Sequence, residues 1–342
     1  MSKVASTILS IFGLLTIGAV VDWSKSDAFT SILLTFLAVL GALAIHEIGH
    51  VCGALWSRSN VLTFAVGPIK VKRLENNQLK WRWVDSWSEV GGYVQIEHRQ
   101  QKIENAILIS VFGGPLASLL LASVYFTNVY FLEILGVTSF LLFIATMLPY
   151  NLSGLFSDGH TILQILKNNK LFINYYKMTN YLLAKDSPGK WDKGLQEEVG
   201  AIDAKQLSPT ELSIYLMFLF YSAVETHQTY CLKQFYQTID LEQAASQASH
   251  KGQLAAIYHY YVAIQYLLGE PVTISDSQLQ EVPAFDALSV ARTKALLVQD
   301  PQARARYSEQ LVNVNQTSYS FLQVEKKFYE RYLTNDYIPK EG

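Results

Sequence analysis

Apolar segments long enough to cross a membrane dominate the first half of this 342-residue chain. A helix needs about 20 consecutive apolar residues to cross the hydrocarbon core of a bilayer. Four segments meet that requirement, over residues 4–21, 29–55, 106–126 and 131–148. The first of them lacks a small-residue cleavage site after a short apolar core, which favours an uncleaved membrane helix over a secretory signal peptide. The sequence therefore predicts a mainly α-helical, polytopic membrane protein with about four transmembrane helices.

The charges of the connecting loops predict which side of the membrane each loop faces. Lysine and arginine are concentrated after the second and fourth apolar segments, whereas the two opposite loops contain only Lys25. Because cytoplasmic loops carry the excess of basic residues, we expect both termini and residues 56–105 to be cytoplasmic. The formal net charge of −2 gives no indication of a nucleic-acid partner.

Residues 62–96 change to the alternating pattern of a cytoplasmic β-hairpin and loop. Apolar side chains alternate with lysine and arginine over residues 69–72 and 79–83, and Asn76-Asn77 lies between them as a turn. A further short strand is expected at Gly92–Ile96. The alternative interpretation is that this hairpin only connects two helices.

The second apolar segment contains three ionisable side chains within five residues, His46, Glu47 and His50. On a helix, this His-Glu-x-x-His spacing puts both imidazoles on one face, one turn apart, where they can bind one zinc ion. Glu47 beside them can take a proton from the metal-activated water. The alternative is a pair of histidines satisfied in a helical core, but ionisable groups are costly to bury in a membrane without such a purpose. We therefore predict a zinc site, with Glu47 as the catalytic base.

A catalytic zinc ion needs a third protein ligand and one open position. The longer His-Glu-x-x-His-x-x-Gly-x-x-His form of the motif is excluded, because Trp56 stands where the third histidine would be. Asp158 follows the fourth apolar segment, at the same expected depth as His50, and aspartate is an acceptable zinc ligand. An aspartate-glycine pair can also be only a turn or a helix cap. We predict Asp158 as the third ligand of one zinc ion per chain, with a zinc protease that uses a glutamate ligand as the alternative.

These motifs resemble those of the site-2 protease family, which are intramembrane zinc metalloproteases. That family carries His-Glu-x-x-His on one membrane helix and Asn-x-x-Pro-x-x-x-x-Asp-Gly on a later one. The second motif corresponds here to Asn151–Gly159, with Gly154 where proline is usual and one residue fewer. Gly91–Val94 resembles the family's membrane-associated β-loop, and Gly113–Ser118 resembles the small-residue start of its second core helix. The four matches cover residues 29–165 in the family's order.

The resemblance implies a zinc metalloendopeptidase of bacterial plasma membranes, which hydrolyses peptide bonds in or near transmembrane segments. Its substrates would be membrane proteins or membrane-bound peptides, such as anti-sigma factors, remnant signal peptides or peptide precursors. It also implies that Asn151 helps to hold the substrate backbone near the zinc ion. A catalytically degenerate relative, which binds membrane helices without cutting them, is the competing function.

A substrate helix must unwind before hydrolysis, because its own hydrogen bonds protect its peptide bonds. An exposed strand can hold the unwound segment by strand addition, and we expect Gly92, Tyr93 and Val94 to bind substrate in this way. His98 and His160 are alternative ligands or substrate contacts, although loop histidines without a catalytic role are the simpler interpretation.

The chain after residue 165, where the predicted intramembrane metalloprotease domain (1–165) ends, is more polar. Residues 166–190 predict a linker or helix, and residues 191–342 a cytoplasmic α-helical domain. Its helix pairs resemble a tetratricopeptide array, although no clean repeat of about 34 residues occurs. Within it, Ser208–Glu211 is typical of a helix start. We expect this half to lie outside the family resemblance, and it is a candidate for binding a protein partner.

Overall fold

The structure is a computed structural model. It describes residues 28–73, 78–83, 91–98, 103–152, 155–184, 186–248, 251–282, 286–298, 301–314 and 323–334. The chain divides into two compact units, Met1–Ile173 and Asn174–Gly342. The predicted membrane segment 4–21 and the expected turn at residues 76–77 lie outside the described residues. The domain boundaries expected at residues 165 and 190 stay predictions.

Three long apolar helices form the centre of the first unit. They are α1, Ala28–Trp56; α2, Ile103–Ala122; and α3, Tyr130–Met147. A 3-10 turn, Ser123–Thr127, extends α2. Each helix is long and apolar enough to cross a membrane, with α2 counted together with its turn. Three of the four predicted spans are therefore helices of the required length, and α1 packs against both of the others.

Glycines allow α1 and α2 to cross in close contact. A Cβ atom added at Gly49 would overlap the main chain of Gly113, and one added at Gly113 would overlap the main chain of Gly49. Gly53, one turn further along α1, lies equally close to the main chain of Ile109. Gly49 and Gly53 have the Gly-x-x-x-Gly spacing that lets membrane helices approach closely. This crossing brings α2 directly beside the His-Glu-x-x-His segment of α1.

A four-stranded antiparallel sheet follows α1. Its strands are β1, Asn60–Gly67; β2, Ile69–Arg73; β3, Leu79–Trp83; and β4, Gly91–Glu97. They lie in the order β3-β2-β1-β4, and β1 and β4 pack against α1. β2 and β3 form the predicted hairpin, with Val71 opposite Trp81. β4 pairs with β1 and not with the hairpin, so that Gly92 lies opposite Val66 at one edge of the described sheet.

A short hairpin separates α3 from the helix that begins with Asp158. β5, Asn151–Leu152, pairs with β6, Leu155–Phe156, and α4 then runs over Asp158–Leu166. The helical path is therefore interrupted between Met147 and Asp158. Gly154, which replaces the family's proline, lies outside the described residues.

The second unit is helical in the part of the chain that the structure describes. The boundary between the units falls within α5, Lys170–Leu183. The remaining helices are α6, Lys193–Gly200; α7, Pro209–Thr226; α8, Tyr230–Tyr236; α9, Leu241–Gln247; α10, Lys251–Leu268; α11, Asp276–Gln280; α12, Ala287–Val298; α13, Pro301–Val314; and α14, Val324–Tyr332. Two 3-10 turns, Pro188–Lys190 and Ala204–Gln206, lie before α7.

The central helix of the second unit is α7, which packs against α10 and α14. Ser208 starts it with a capping box, since its side chain accepts from the main-chain N–H of Glu211 and the Glu211 carboxylate accepts from that of Ser208. The predicted helix start is thereby confirmed. Aromatic side chains of α7, including Tyr215, Phe218 and Tyr221, are buried in the core of this unit. The tetratricopeptide-like arrangement stays a prediction.

Candidate metal centre

The three side chains predicted as metal ligands converge between α1 and the start of α4. The Nε2 atoms of His46 and His50 are 3.2 Å apart. Oδ2 of Asp158 lies 3.2 Å from Nε2 of His46 and 3.6 Å from Nε2 of His50. Ligand atoms about 2.1 Å from a tetrahedral zinc ion stand about 3.4 Å from one another. The donor set therefore fits one such ion and leaves a fourth position for water or substrate.

Each imidazole is fixed through its other ring nitrogen. Nδ1 of His46 lies 2.9 Å from Oγ of Ser118, and Nδ1 of His50 lies 2.9 Å from the main-chain oxygen of Ser110. A carbonyl oxygen only accepts, so the hydrogen bond of His50 places the proton on Nδ1 and leaves the lone pair of Nε2 for a metal. Both partners lie on α2, so the crossing of α1 and α2 determines how the imidazoles are presented.

Sequence reasoning did not predict the contacts of Ser110 and Ser118. Ser118 was noted only within Gly113–Ser118, which was expected at the start of the second core helix. The structure places this stretch inside α2 instead, because the helix already begins at Ile103. The available signal was the spacing of these two buried serines, eight residues apart on one face of an apolar helix. Polar side chains inside membrane helices face other helices and not lipid. The hydroxyl of Ser118 contacts His46, whereas His50 contacts the main chain of Ser110 and not its side chain.

Asp158 is held in place by the residue before it. Oγ of Ser157 accepts hydrogen bonds from the main-chain N–H groups of His160 and Tyr150, each at 3.1 Å. The same hydroxyl donates to the main-chain oxygen of Leu148 at 2.7 Å. Ser157 thus caps α4 and ties its start to the end of α3, which fixes the position of Asp158.

The close packing of α4 against the end of α3 explains why a glycine, Gly159, follows Asp158. A Cβ atom at this position would overlap the main chain of Met147, the last residue of α3. Any larger residue would push the start of α4 away from α3. Asp158 also occupies the first turn of α4, where the helix dipole favours a carboxylate.

Glu47 follows His46 on α1 and lies against the edge strand β4. Its side chain is 6 % exposed, and a Cβ atom at Gly92 would overlap its carboxylate. Gly92, predicted to bind substrate, therefore also contacts the predicted catalytic base. Tyr93 and Val94 follow it on β4, half-buried, with their side chains on opposite faces of the sheet.

The remaining predicted residues are not part of the donor set formed by His46, His50 and Asp158. Asn151 is exposed on β5, opposite Phe156. The ring of His160 stacks on Phe156, with the ring centroids 5.3 Å apart. Nδ1 of His98 lies 2.8 Å from Oγ of Ser59, and burial lowers the pKa of His98 to about 4. Among the described residues, the group of donors close enough to share a metal ion consists of His46, His50 and Asp158.

Helices of membrane-spanning length that present a His-Glu-x-x-His segment to an aspartate at the start of a later helix are typical of a class of membrane proteases. The chain belongs to peptidase family M50, the site-2 protease family, because the model of that family matches residues 34–298. The protein is therefore a membrane protein and a hydrolase of peptide bonds, as the motifs predict. No curated protein and no solved structure matches the chain.

The family match also corrects one expectation. It continues well past residue 165, so the expectation that the resemblance ends with the membrane half is wrong. The resemblance rested on short motifs within residues 29–165, whereas the family match also covers residues of the second unit up to 298.

Proposed function

We propose that the protein is a zinc-dependent endopeptidase that cleaves membrane-bound substrates within or next to their transmembrane segments. The observation that carries this proposal is the convergence of three donor atoms, 3.2 to 3.6 Å apart, beside a buried glutamate. His46, His50 and Asp158 would hold the metal. Zinc held by these residues would supply Lewis-acid chemistry to the scissile carbonyl and to the attacking water.

Glu47 carries out the proton transfers of the proposed reaction. Its carboxylate takes a proton from the attacking water and passes it to the nitrogen of the leaving amine. The main chain of β4 at Gly92 limits where the carboxylate can lie, because it packs directly against it.

The edge strand β4 is the proposed holder of the unwound substrate. In the part of the sheet that the structure describes, β4 is the terminal strand and pairs with β1 alone. An extended segment added to its outer edge would exchange the lost helical hydrogen bonds for hydrogen bonds to β4. Contact between Gly92 and Glu47 would then bring a peptide bond of that segment beside the catalytic base. Tyr93 and Val94 would contact the substrate side chains, and Asn151 would hold its backbone.

The proposed orientation puts residues 56–105 and both termini in the bacterial cytoplasm. The excess of lysine and arginine in that loop supports it. Water and the cleaved product would then use the cytoplasmic side. A protein partner for the second unit stays a prediction.

Cleavage of a model transmembrane peptide by the full-length protein in detergent tests the proposed function. Glu47→Gln should lower the rate by roughly 10² to 10⁴-fold, because it removes the proton acceptor. Glu242→Gln is the matched control, since it makes the same chemical change at an exposed position of the second unit, and it should leave the rate unchanged. Cleavage that persists in Glu47→Gln would refute the catalytic role. A wild-type protein that binds the peptide without cutting it would support the degenerate relative.

A further inference from the structure

We infer that Ser118 is a positioning residue for the metal centre, whose hydroxyl holds His46 in the orientation and tautomer that metal binding requires. The inference rests on the proposed function, because it assumes that Nε2 of His46 binds zinc. The proposed role belongs to a residue of α2, whereas the candidate ligands belong to α1 and α4.

The contact is buried and well defined. Ser118 is 0 % exposed and His46 is 4 % exposed, with 2.9 Å between Oγ and Nδ1. A hydroxyl can accept the Nδ1–H of a neutral imidazole, and this leaves the lone pair of Nε2 directed at the donor set. Nε2 of His46 is the atom that lies 3.2 Å from both His50 and Asp158. A hydrogen bond to the other ring nitrogen fixes the ring orientation of a metal-binding histidine and raises its basicity.

The two histidines differ in how they are held. His50 bonds to the main-chain oxygen of Ser110, which no side-chain substitution removes. The hydroxyl of Ser110 donates instead to the main-chain oxygen of Ile107 at 2.9 Å. His46 depends on the side-chain hydroxyl of Ser118, so its orientation can be altered by removing one oxygen atom.

A purely structural role for Ser118 makes a different prediction. Small residues at helix crossings serve close approach, and alanine serves that purpose as well as serine. Ser118→Ala keeps the packing and removes the hydrogen bond. A space-filling residue would therefore tolerate alanine without any change in metal affinity, whereas a positioning residue would not.

Zinc affinity of the full-length protein in detergent, measured by competition with a chromophoric chelator, tests the inference. Ser118→Ala should weaken zinc binding by about 10- to 100-fold, the usual cost of losing such an outer partner. Ser139→Ala on α3 is the matched control and should bind zinc like the wild type, because it also removes a fully buried hydroxyl, which donates to the main-chain oxygen of Leu135 in its own helix. Ser118→Thr restores a hydroxyl and should recover most of the affinity. The thermal unfolding temperature of each metal-free variant reports separately on folding.

Three outcomes separate the possibilities. Weak binding confined to Ser118→Ala, with a metal-free unfolding temperature close to that of the wild type, supports the inference. Equal affinity of Ser118→Ala and the wild type, or a Ser118→Thr variant no tighter than Ser118→Ala, overturns it. A wild-type protein that binds no zinc defeats the proposed function itself, and that result is distinct from the other two.

Discussion

Two glycines let the main chain touch the reactive side chains. A Cβ atom at Gly92 would overlap the carboxylate of Glu47, and one at Gly114 would overlap the imidazole of His50. A larger residue at either position would displace the side chain that it meets. The proposed catalytic base and one candidate ligand are thus confined by the backbone of neighbouring elements.

Gly92→Ala should lower the cleavage rate while zinc content stays that of the wild type. The added methyl group must displace Glu47, and a misplacement of about 1 Å at a reactive group can cost roughly 100-fold in rate. The adjacent Gly91→Ala is the matched control, because a Cβ atom there meets nothing within 4 Å. Steady-state cleavage and metal analysis of both variants check this expectation. Equal rates for the two variants would show that Gly92 does not constrain the base.

The candidate ligands were predictable from the sequence to different degrees. His46 and His50 could be predicted because a helix converts a fixed spacing of four residues into a fixed distance. Asp158 required the further argument that its segment ends at the same membrane depth. Ser118 was missed, since its contact with His46 depends on a helix crossing that no local pattern specifies.

Among the described elements, a buried ion pair joins α14 to α12. Arg292 on α12 and Glu325 on α14 are both 0 % exposed and form an ion pair. The hydroxyls of Tyr221 and Tyr307 donate to the same carboxylate, Tyr221 at 2.6 Å. A pair of this kind is strongly destabilising to break, because the remaining charge stays buried without compensation.

Glu325→Gln should therefore lower the free energy of unfolding of the second unit by about 3 to 5 kcal/mol. Lys326→Gln provides the control at the next position. Its nitrogen lies 3.8 Å from Glu330, and both side chains are more than half exposed, so its loss should cost less than about 1 kcal/mol. Urea titration of the full-length protein in detergent measures both. Equal effects would mean that the buried pair does not hold α14.

The strands of the sheet differ in whether the alternation of their apolar residues predicts them. β2 and β3 alternate apolar and basic residues, so the hairpin could be predicted from period two. β1 was missed, because Val61–Val66 is apolar except at Thr63 and such a run does not distinguish a strand from a buried helix. The pairing of β4 with β1 brings Gly92 to Glu47, and that long-range register had no local signal.

At the scale of the whole molecule, the candidate metal centre is assembled from distant parts of the chain. His50 and Asp158 are separated in sequence by the sheet and by two helices of membrane-spanning length. Hydropathy predicted that both lie near the same end of their segments, but only the packing of α1, α2 and α3 brings them within 3.6 Å. The family match runs from residue 34 to residue 298, so it includes most of the second unit as well as the helices that carry the candidate ligands.

The most direct test of this account is the zinc content and coordination of the purified full-length protein, by elemental analysis and X-ray absorption. One zinc ion per chain, bound by two imidazole nitrogens and a carboxylate oxygen, is expected in the wild type and in Glu47→Gln. Asp158→Ala should lose the metal, whereas Asp186→Ala, at an exposed position, should keep it. A wild-type protein without zinc, or an Asp158→Ala variant that still binds one zinc ion per chain, would contradict the proposed metal centre.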